Sequence, residues 1–399
     1  MAIGSEIDNE RIEYHNNTVL TVACCTEDHT VLSGAEDGSV ALFSSKDNTL
    51  LHRITPGPVD PVNCVTFNPR ETAKFYCALG EKIFVYDKRQ LNDVCDTYAY
   101  HEEEINQVAV DEKGQYMVSC DDDGTVICLD LTKSGGKSVS KHTLHDNICA
   151  SVQWCLVNTL YTTIYVLLCN GYVVFSKHTL HDNICASVQW VCSVSKHTLH
   201  DNICASVQWV PGRSSEIVSG GMDCKIHHRD VYKSRPLKTL TEKTEQQGIH
   251  IINPPFVNCV STYWGSRYMV AGYGSGTVKV WRLGSKKVGY VPFKSLPRHN
   301  AGAGCVCLVD GTTVVSGGND GFIHISELER GHTNGHTNGH CNGHSDNIAS
   351  DDDADIDDTC TFKLLHGHKI NWLSGFRDTS CIILYACDES NVVTKYSIR

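Results

Sequence analysis

The stretch VVSGGNDGFIHISE, residues 314–327, decides the fold. Two apolar residues lead into a small pair, a turn carrying Asp and Gly follows, and an alternating strand leaves it. That order describes a β-hairpin: small residues where backbones approach, polar residues where the chain reverses, and period-two alternation where one strand face is covered. The pattern returns as VLSGAEDGSVALF from residue 31, MVSCDDDGTVICLD from 117, IVSGGMDCKIHHRD from 217 and MVAGYGSGTVKVWR from 269. Two weaker copies, FYCALGEKIFVYDK from 75 and LYACDESNVVTKYS from 384, bring the number to seven.

Spacing turns the seven hairpins into one ring. Asp37 and Asp123 are 86 residues apart with a weak copy midway, and Ser275 precedes Asp320 by 45. Such steps match the four-stranded blade of a WD-repeat propeller, about 40 to 45 residues. The expected fold is therefore all-β: a seven-bladed WD-repeat β-propeller, one domain over residues 8–399. The last blade stops after its third strand, and residues 8–15 precede the first blade, so an N-terminal strand pairing with the last blade is expected to close the ring. An open ring would leave strand edges unpaired.

Several hairpins are preceded by a histidine and an apolar strand: HNNTVLTVACC at His15, HEEEINQVAV at His101, HDNICASVQW at His200 and HGHKINWLSG at His368. In WD repeats such a histidine bonds the turn aspartate, with a Ser or Thr and a strand Trp completing a buried network. Asp37, Asp123, Asp223 and Asp320 stand where they would receive it. Only Trp281 fills the Trp position; Phe43, Tyr86, Leu129, His228, Ser326 and Tyr396 are expected in the other blades. Most blades should then depend on packing more than on a complete polar network.

Two stretches do not fit the ring. Asp123 and Asp223 are 100 residues apart, because SKHTLHDNICASVQW occurs three times unchanged, ending at Trp154, Trp190 and Trp209. Structural repeats diverge, so identity marks a duplication, and residues 155–209 are read as an anomalous insertion whose removal restores a normal fourth blade. Within it, residues 155–175 carry no charge and are long enough for a membrane span. A span would thread a membrane through a closed soluble ring, so none is expected. The second misfit, residues 331–358, is rich in His, Gly and Asp and reads as a disordered loop. Its His332, His336, His340 and His344 lie beside Cys341, and weak zinc or nickel binding is chemically open to them, but Gly-rich chain pre-organises no site.

Composition narrows function by exclusion. The net charge is −12 and no basic block stands out, which argues against nucleic acid and anionic lipid. The N-terminus lacks the basic and apolar regions of a signal peptide, and the 21 cysteines sit mostly in apolar strand-like runs, so a reduced cytoplasmic or nuclear protein is expected. Walker loops, nucleophile elbows and H-E-x-x-H motifs are missing. The acidic runs Glu102–Glu104 and Asp121–Asp123 read as solvated turns. No enzyme, cofactor or metal is anticipated; the partners are other proteins, and the propeller is monomeric.

Taken in order, HEEEINQVAV, SCDDDGTVICLDL, HDNICASVQW, SGGNDG and HGHKINWLSG resemble the WD repeat-containing protein 53 family, over nearly the whole chain apart from residues 155–209. The resemblance implies a candidate substrate receptor of a cullin-4 ubiquitin ligase. Such receptors dock on the ligase's propeller adaptor through a W-D-x-R box at the end of a blade's third strand. The matching residues are Tyr86, Asp87, Lys88 and Arg89, with Tyr86 in place of Trp. A ligase-independent scaffold or peptide reader is the alternative, and an enzyme with a site hidden between blades is a third reading without a motif to support it.

Overall fold

The computed structural model describes residues 7–57, 60–133, 143–144, 155–159, 162–169, 172–178, 194–198, 200, 202–233, 235–242, 254–286, 288–328, 360–379 and 381–399. Every regular element among them is a strand. Seven antiparallel meanders form the blades, and the inner strand of each packs on the inner strand of the next, blade 7 against blade 1. Their inner strands are Val19–Cys25, Val62–Phe67, Ile105–Val110, Cys204–Trp209, Val257–Thr262, Ala303–Leu308 and Ile370–Asp378. The outermost strand of blade 7 is Ile7–Glu13, antiparallel to Val392–Ile398 from Ile7↔Ile398 to Glu13↔Val392. The ring closes as the sequence predicted.

The core lies between blades rather than at the axis. Apolar clusters join blade 1 to 2 through Leu32, Val62 and Phe75, blade 2 to 3 through Ile83, Ile105 and Met117, and blade 7 to 1 through Val19, Phe43 and Tyr385. The small pair of the hairpins serves this packing. A Cβ on Gly34, Gly220 or Gly317 would stand 2.4 Å from Val62, 2.4 Å from Val257 and 2.7 Å from Ile370 respectively, the first residue of the next blade's inner strand in each case. Glycine on the second strand thus makes the socket into which the following blade seats.

A second periodic device was not anticipated. All seven inner strands carry a bulge after their first residue, at Leu20, Asn63, Asn106, Ala205, Asn258, Gly304 and Asn371. A bulge leaves its residue outside the ladder and turns it aside. Where that residue is asparagine, its Nδ2 donates to the carbonyl that opens the next inner strand: Asn63 to Ile105 at 3.2 Å, Asn106 to Cys204 at 3.1 Å, Asn258 to Ala303 at 3.0 Å and Asn371 to Val19 at 3.5 Å. Side chains one residue further on repeat the gesture. Cys64 Sγ lies 3.7 Å from the Val108 carbonyl and Cys259 Sγ 3.6 Å from that of Val306, so these thiols are weak donors across the blade gap as well as small apolar fillers.

In blade 3 the outer strand is Val194–Thr198, drawn from the third copy of the duplicated segment, and blade 4 begins with that copy's Cys204–Trp209. Thr143–Leu144 of the first copy pairs in parallel with Val194–Thr198. The ring therefore takes copy three where the sequence reading kept copy one; the copies being identical, either choice leaves the same blade. Cys155–Thr159, Thr162–Cys169 and Tyr172–His178 make a three-stranded sheet of their own, and no helix is long and apolar enough to cross a membrane among the described residues. Residues 331–358, with their four histidines and Cys341, fall outside the described residues, as do Trp154 and Trp190.

Closure predicts how the ring fails. Ile12 is buried in the joint between blades 7 and 1, so Ile12→Ala should cost about 2–4 kcal/mol in urea unfolding. Deleting residues 1–13 should bare the Val392–Ile398 edge and yield soluble aggregates on size exclusion. Wild-type stability for Ile12→Ala would contradict the closure.

Candidate protein-interaction site and the histidine networks

The ring has two faces with different chemistry. One carries the turns between second and third strands and the histidine-bearing links between blades. There His101 Nδ1 lies 2.7 Å from Asp121 and Nε2 2.7 Å from Ser119. His200 Nδ1 lies 2.8 Å from Asp223 and Nε2 2.9 Å from Ser219, and His299 stands 3.1 Å from Asp320 and 2.9 Å from Ser316. In blade 1 the serine intervenes: His15 Nδ1 is 2.6 Å from Ser39 Oγ, which donates to Asp37, while Nε2 is 2.7 Å from Ser33. Asp37 also receives Arg53 Nη2 at 2.9 Å.

Four sequence assignments need correction. In blade 3 the acceptor is Asp121 and not Asp123: the acidic turn is only partly solvated, with Asp121 buried at the strand end and Asp123 exposed. In blade 7 the histidine is His366, whose Nε2 lies 2.9 Å from Asp388 and whose Nδ1 lies 2.6 Å from the Tyr396 hydroxyl; His368 is exposed. The serine position there is Ala386, and the Tyr396 hydroxyl reaches the imidazole without it. In blade 5 Trp281 packs with Val260, Met269 and Tyr290, but Ala271 occupies the serine position and Ser275 the aspartate position, so the tetrad is not assembled. The one blade with the tryptophan lacks its polar partners, and the blades with those partners lack the tryptophan. Arg229, opposite Ile217, holds that place in blade 4; His228 faces the other side and bonds Glu216 at 2.7 Å. His299 was missed, though the signal was available: each network histidine stands four residues before its inner strand, as His15 does before Val19 and His299 before Ala303.

Burial sets the charge of several histidines of the ring. It holds His15, His227 and His324 down to about 4, with His299 and Lys363 adding to the effect at His324. His200 is the exception: burial opposes its cation, but Cys204 and Asp223 raise its pKa. Burial would lift the Asp388 carboxyl, and bonds from His366 and Ser390 hold it far below the usual carboxylate range.

The opposite face carries the turns between first and second strands and the ends of the third strands, where the box lies. Tyr86 is buried and stacks on Phe75, centroids 5.5 Å apart. Lys88 turns inward, donating to Asp28 at 2.6 Å and Thr30 at 2.9 Å in blade 1, with its ammonium 4.3 Å from the Phe67 ring. Asp87 and Arg89 project outward. Asp87 accepts the Arg89 backbone N–H at 2.9 Å and its Nε at 2.8 Å, and a second bond from Nη2; the guanidinium holds the carboxyl at about 2. The Arg89 side chain is 77% exposed, so its fork is presented by the strand end with its remaining N–H groups toward solvent. On the same face, turns from blades 2 to 5 enclose a hollow of about 230 Å³ lined by Val110, Trp209, Pro211 and Trp264, and Trp264 is half exposed.

Seven four-stranded blades and a closing N-terminal strand define a seven-bladed β-propeller, and its repeated Ser–His–Asp networks are of the kind found in WD repeats. A family model described as "WD domain, G-beta repeat" matches residues 93–130, which run from the outer strand of blade 2 through the third strand of blade 3. Among particular proteins, the chain is similar to WD repeat-containing protein 53 homolog of Dictyostelium discoideum, 25% identical over 295 residues that cover 68% of this chain. The chain spans 64% of that relative's length. WD-repeat propellers generally act as non-enzymatic scaffolds that bind other proteins.

Removing the imidazole at His366 should cost about 1–3 kcal/mol in chemical denaturation, because Asp388 and Tyr396 lose a buried partner, while His368→Ala should stay within about 0.5 kcal/mol of wild type. Equal effects would return the role to His368. Because His15, His227 and His324 are held below their unfolded pKa of 6.5, their contribution is complete above that pH and is lost as pH falls toward 4. Thermal midpoints should therefore drop between pH 7 and 5, and His324→Asn should flatten that slope; an unchanged slope would assign the acid sensitivity elsewhere.

Proposed function

We propose that the protein is a non-catalytic substrate receptor of a cullin-4 ubiquitin ligase, working as a monomeric propeller in the cytoplasm or nucleus. The observation that carries this reading is the strand end of blade 2. A buried aromatic at Tyr86 and the inward staple of Lys88 fix the backbone, while Asp87 pre-orients an exposed Arg89. A guanidinium already held in plane loses little freedom when it meets a carboxylate or carbonyl pair on a partner. Tyr86, which stands where the motif has tryptophan, is buried and stacked on Phe75, which supports the reading. The relative's name supports the family reading and says nothing of a ligase. The hollow beside Trp264 favours a second reading, a scaffold that takes an apolar side chain of a protein partner on the same face without any ligase.

A pull-down compares wild type with the Asp87→Ala/Arg89→Ala double variant and with Trp264→Ala, blotting for the cullin-4 propeller adaptor. Adaptor recovered with wild type and with Trp264→Ala, and reduced at least tenfold by the double variant at unchanged circular dichroism, is the expected outcome. No adaptor with wild type would leave the scaffold reading.

A further inference from the structure

Blade 4 holds a histidine that the WD network does not use. His227 lies on the third strand, opposite Ser219, and its ring centroid is 4.8 Å from that of the network histidine His200. His200, Asp223 and His227 offer ligand atoms that all lie within 4.8 Å of one another. Each imidazole is held by its far nitrogen: His200 Nε2 stands 2.9 Å from Ser219 Oγ, and His227 Nδ1 stands 3.0 Å from Thr239 Oγ1. The near nitrogens, Nδ1 of His200 and Nε2 of His227, therefore converge on the Asp223 carboxylate, at 2.8 Å from Oδ1 and 4.0 Å from Oδ2. Hydroxyls fixing the outer nitrogens of two histidines around a carboxylate form the outer shell that metal-binding imidazoles ordinarily require.

We propose that His200, Asp223 and His227 bind a divalent transition-metal ion, zinc by the match of two imidazoles and one carboxylate. Tetrahedral zinc at bonds of about 2.0–2.1 Å sets its ligand atoms about 3.3 Å apart, so the three groups need only small rotations, and the His200–Asp223 hydrogen bond opens to admit the ion. Water fills the fourth position. Lys225 Nζ, 3.7 Å from Asp223 Oδ2, competes with the ion and is sufficiently exposed to withdraw into solvent.

Blade 6 is the internal comparison. His299, Asp320 and His324 occupy the same registers, with His324 opposite Ser316. There the residue across from the second histidine is Lys363 and not a threonine, the rings stack at 4.1 Å and 10°, and among the described residues no hydroxyl or carboxylate holds a nitrogen of His324. The difference between blades is the outer-strand residue: Thr239 Oγ1 holds Nδ1 of His227, whereas Lys363 offers His324 no hydroxyl, sets its ammonium over the Phe322 ring and adds a positive charge nearby. Blade 4 is the only one to yield such a group among the described residues.

The test uses the full chain with His332, His336, His340 and His344 changed to Asn and Cys341 to Ser, so that the His-rich loop contributes nothing, under reducing conditions. Titration with zinc chloride by calorimetry should show one saturable site. His227→Ala should abolish it at unchanged circular dichroism, Thr239→Val should weaken it at least tenfold, and His324→Ala should leave it intact. Absence of a saturable site in the loop-substituted chain, or a site that survives His227→Ala, overturns the proposal. Should His227→Ala fail to fold, Thr239→Val decides alone, because it leaves all three ligands in place.

Discussion

Every part of this molecule depends on one blade seating on the next. At three joints the first residue of the inner strand fills a socket made by a glycine of the preceding blade: Val62 at Gly34, Val257 at Gly220 and Ile370 at Gly317. Where the preceding bulge is asparagine, its carbonyl also accepts that amide, as Ile105 does from Asn63. Apolar contact supplies the strength and the amide supplies the register. Because the joint recurs around the ring, each blade is held from both sides, and the histidine networks and the exposed strand ends are placed by it.

The hairpins were legible because their requirements are local. A glycine pair, an acidic turn and an alternating strand declare themselves within fourteen residues, and the 43 to 45 residue step then implies a ring. Closure was legible too, from a last blade one strand short. The network assignments were less so. Asp121 and Asp123 are equally acidic, and only strand register tells which reaches His101. His366 and His368 differ by two residues, and the fixed four-residue offset from the inner strand decides between them. The asparagine bulges could not be read at all, since their partners lie about 40 or more residues away in another blade and no local propensity encodes them. The choice of duplicate copy is invisible for a simpler reason: identical segments carry no information about which one the ring takes.

The faces divide the labour. Ser–His–Asp networks cluster where second strands turn into third strands and lock the turns with buried, fully bonded groups. The opposite face leaves Arg89 and Trp264 accessible, with Tyr86 buried beneath the strand end that carries Arg89. The buried networks and the exposed strand ends are thereby kept apart, and substitutions on one face should leave the other's geometry intact. Blade 2 shows the separation within four residues, Tyr86 and Lys88 pointing into the fold and Asp87 and Arg89 out of it.

The strand Ile7–Glu13 has a consequence for synthesis. Of the described strands of the ring it leaves the ribosome before all the others, and its partner Val392–Ile398 leaves after them. At roughly 5–20 residues per second the interval is roughly 20–80 s, during which the earliest strand and each nascent inner surface wait without their final neighbour. Contacts of such sequence separation are the slowest to form. The finished ring owes its resistance to fraying to a joint that translation postpones until all seven blades are made, and a ribosome stalled within residues 370–399 would leave a chain complete in six blades and open along one side.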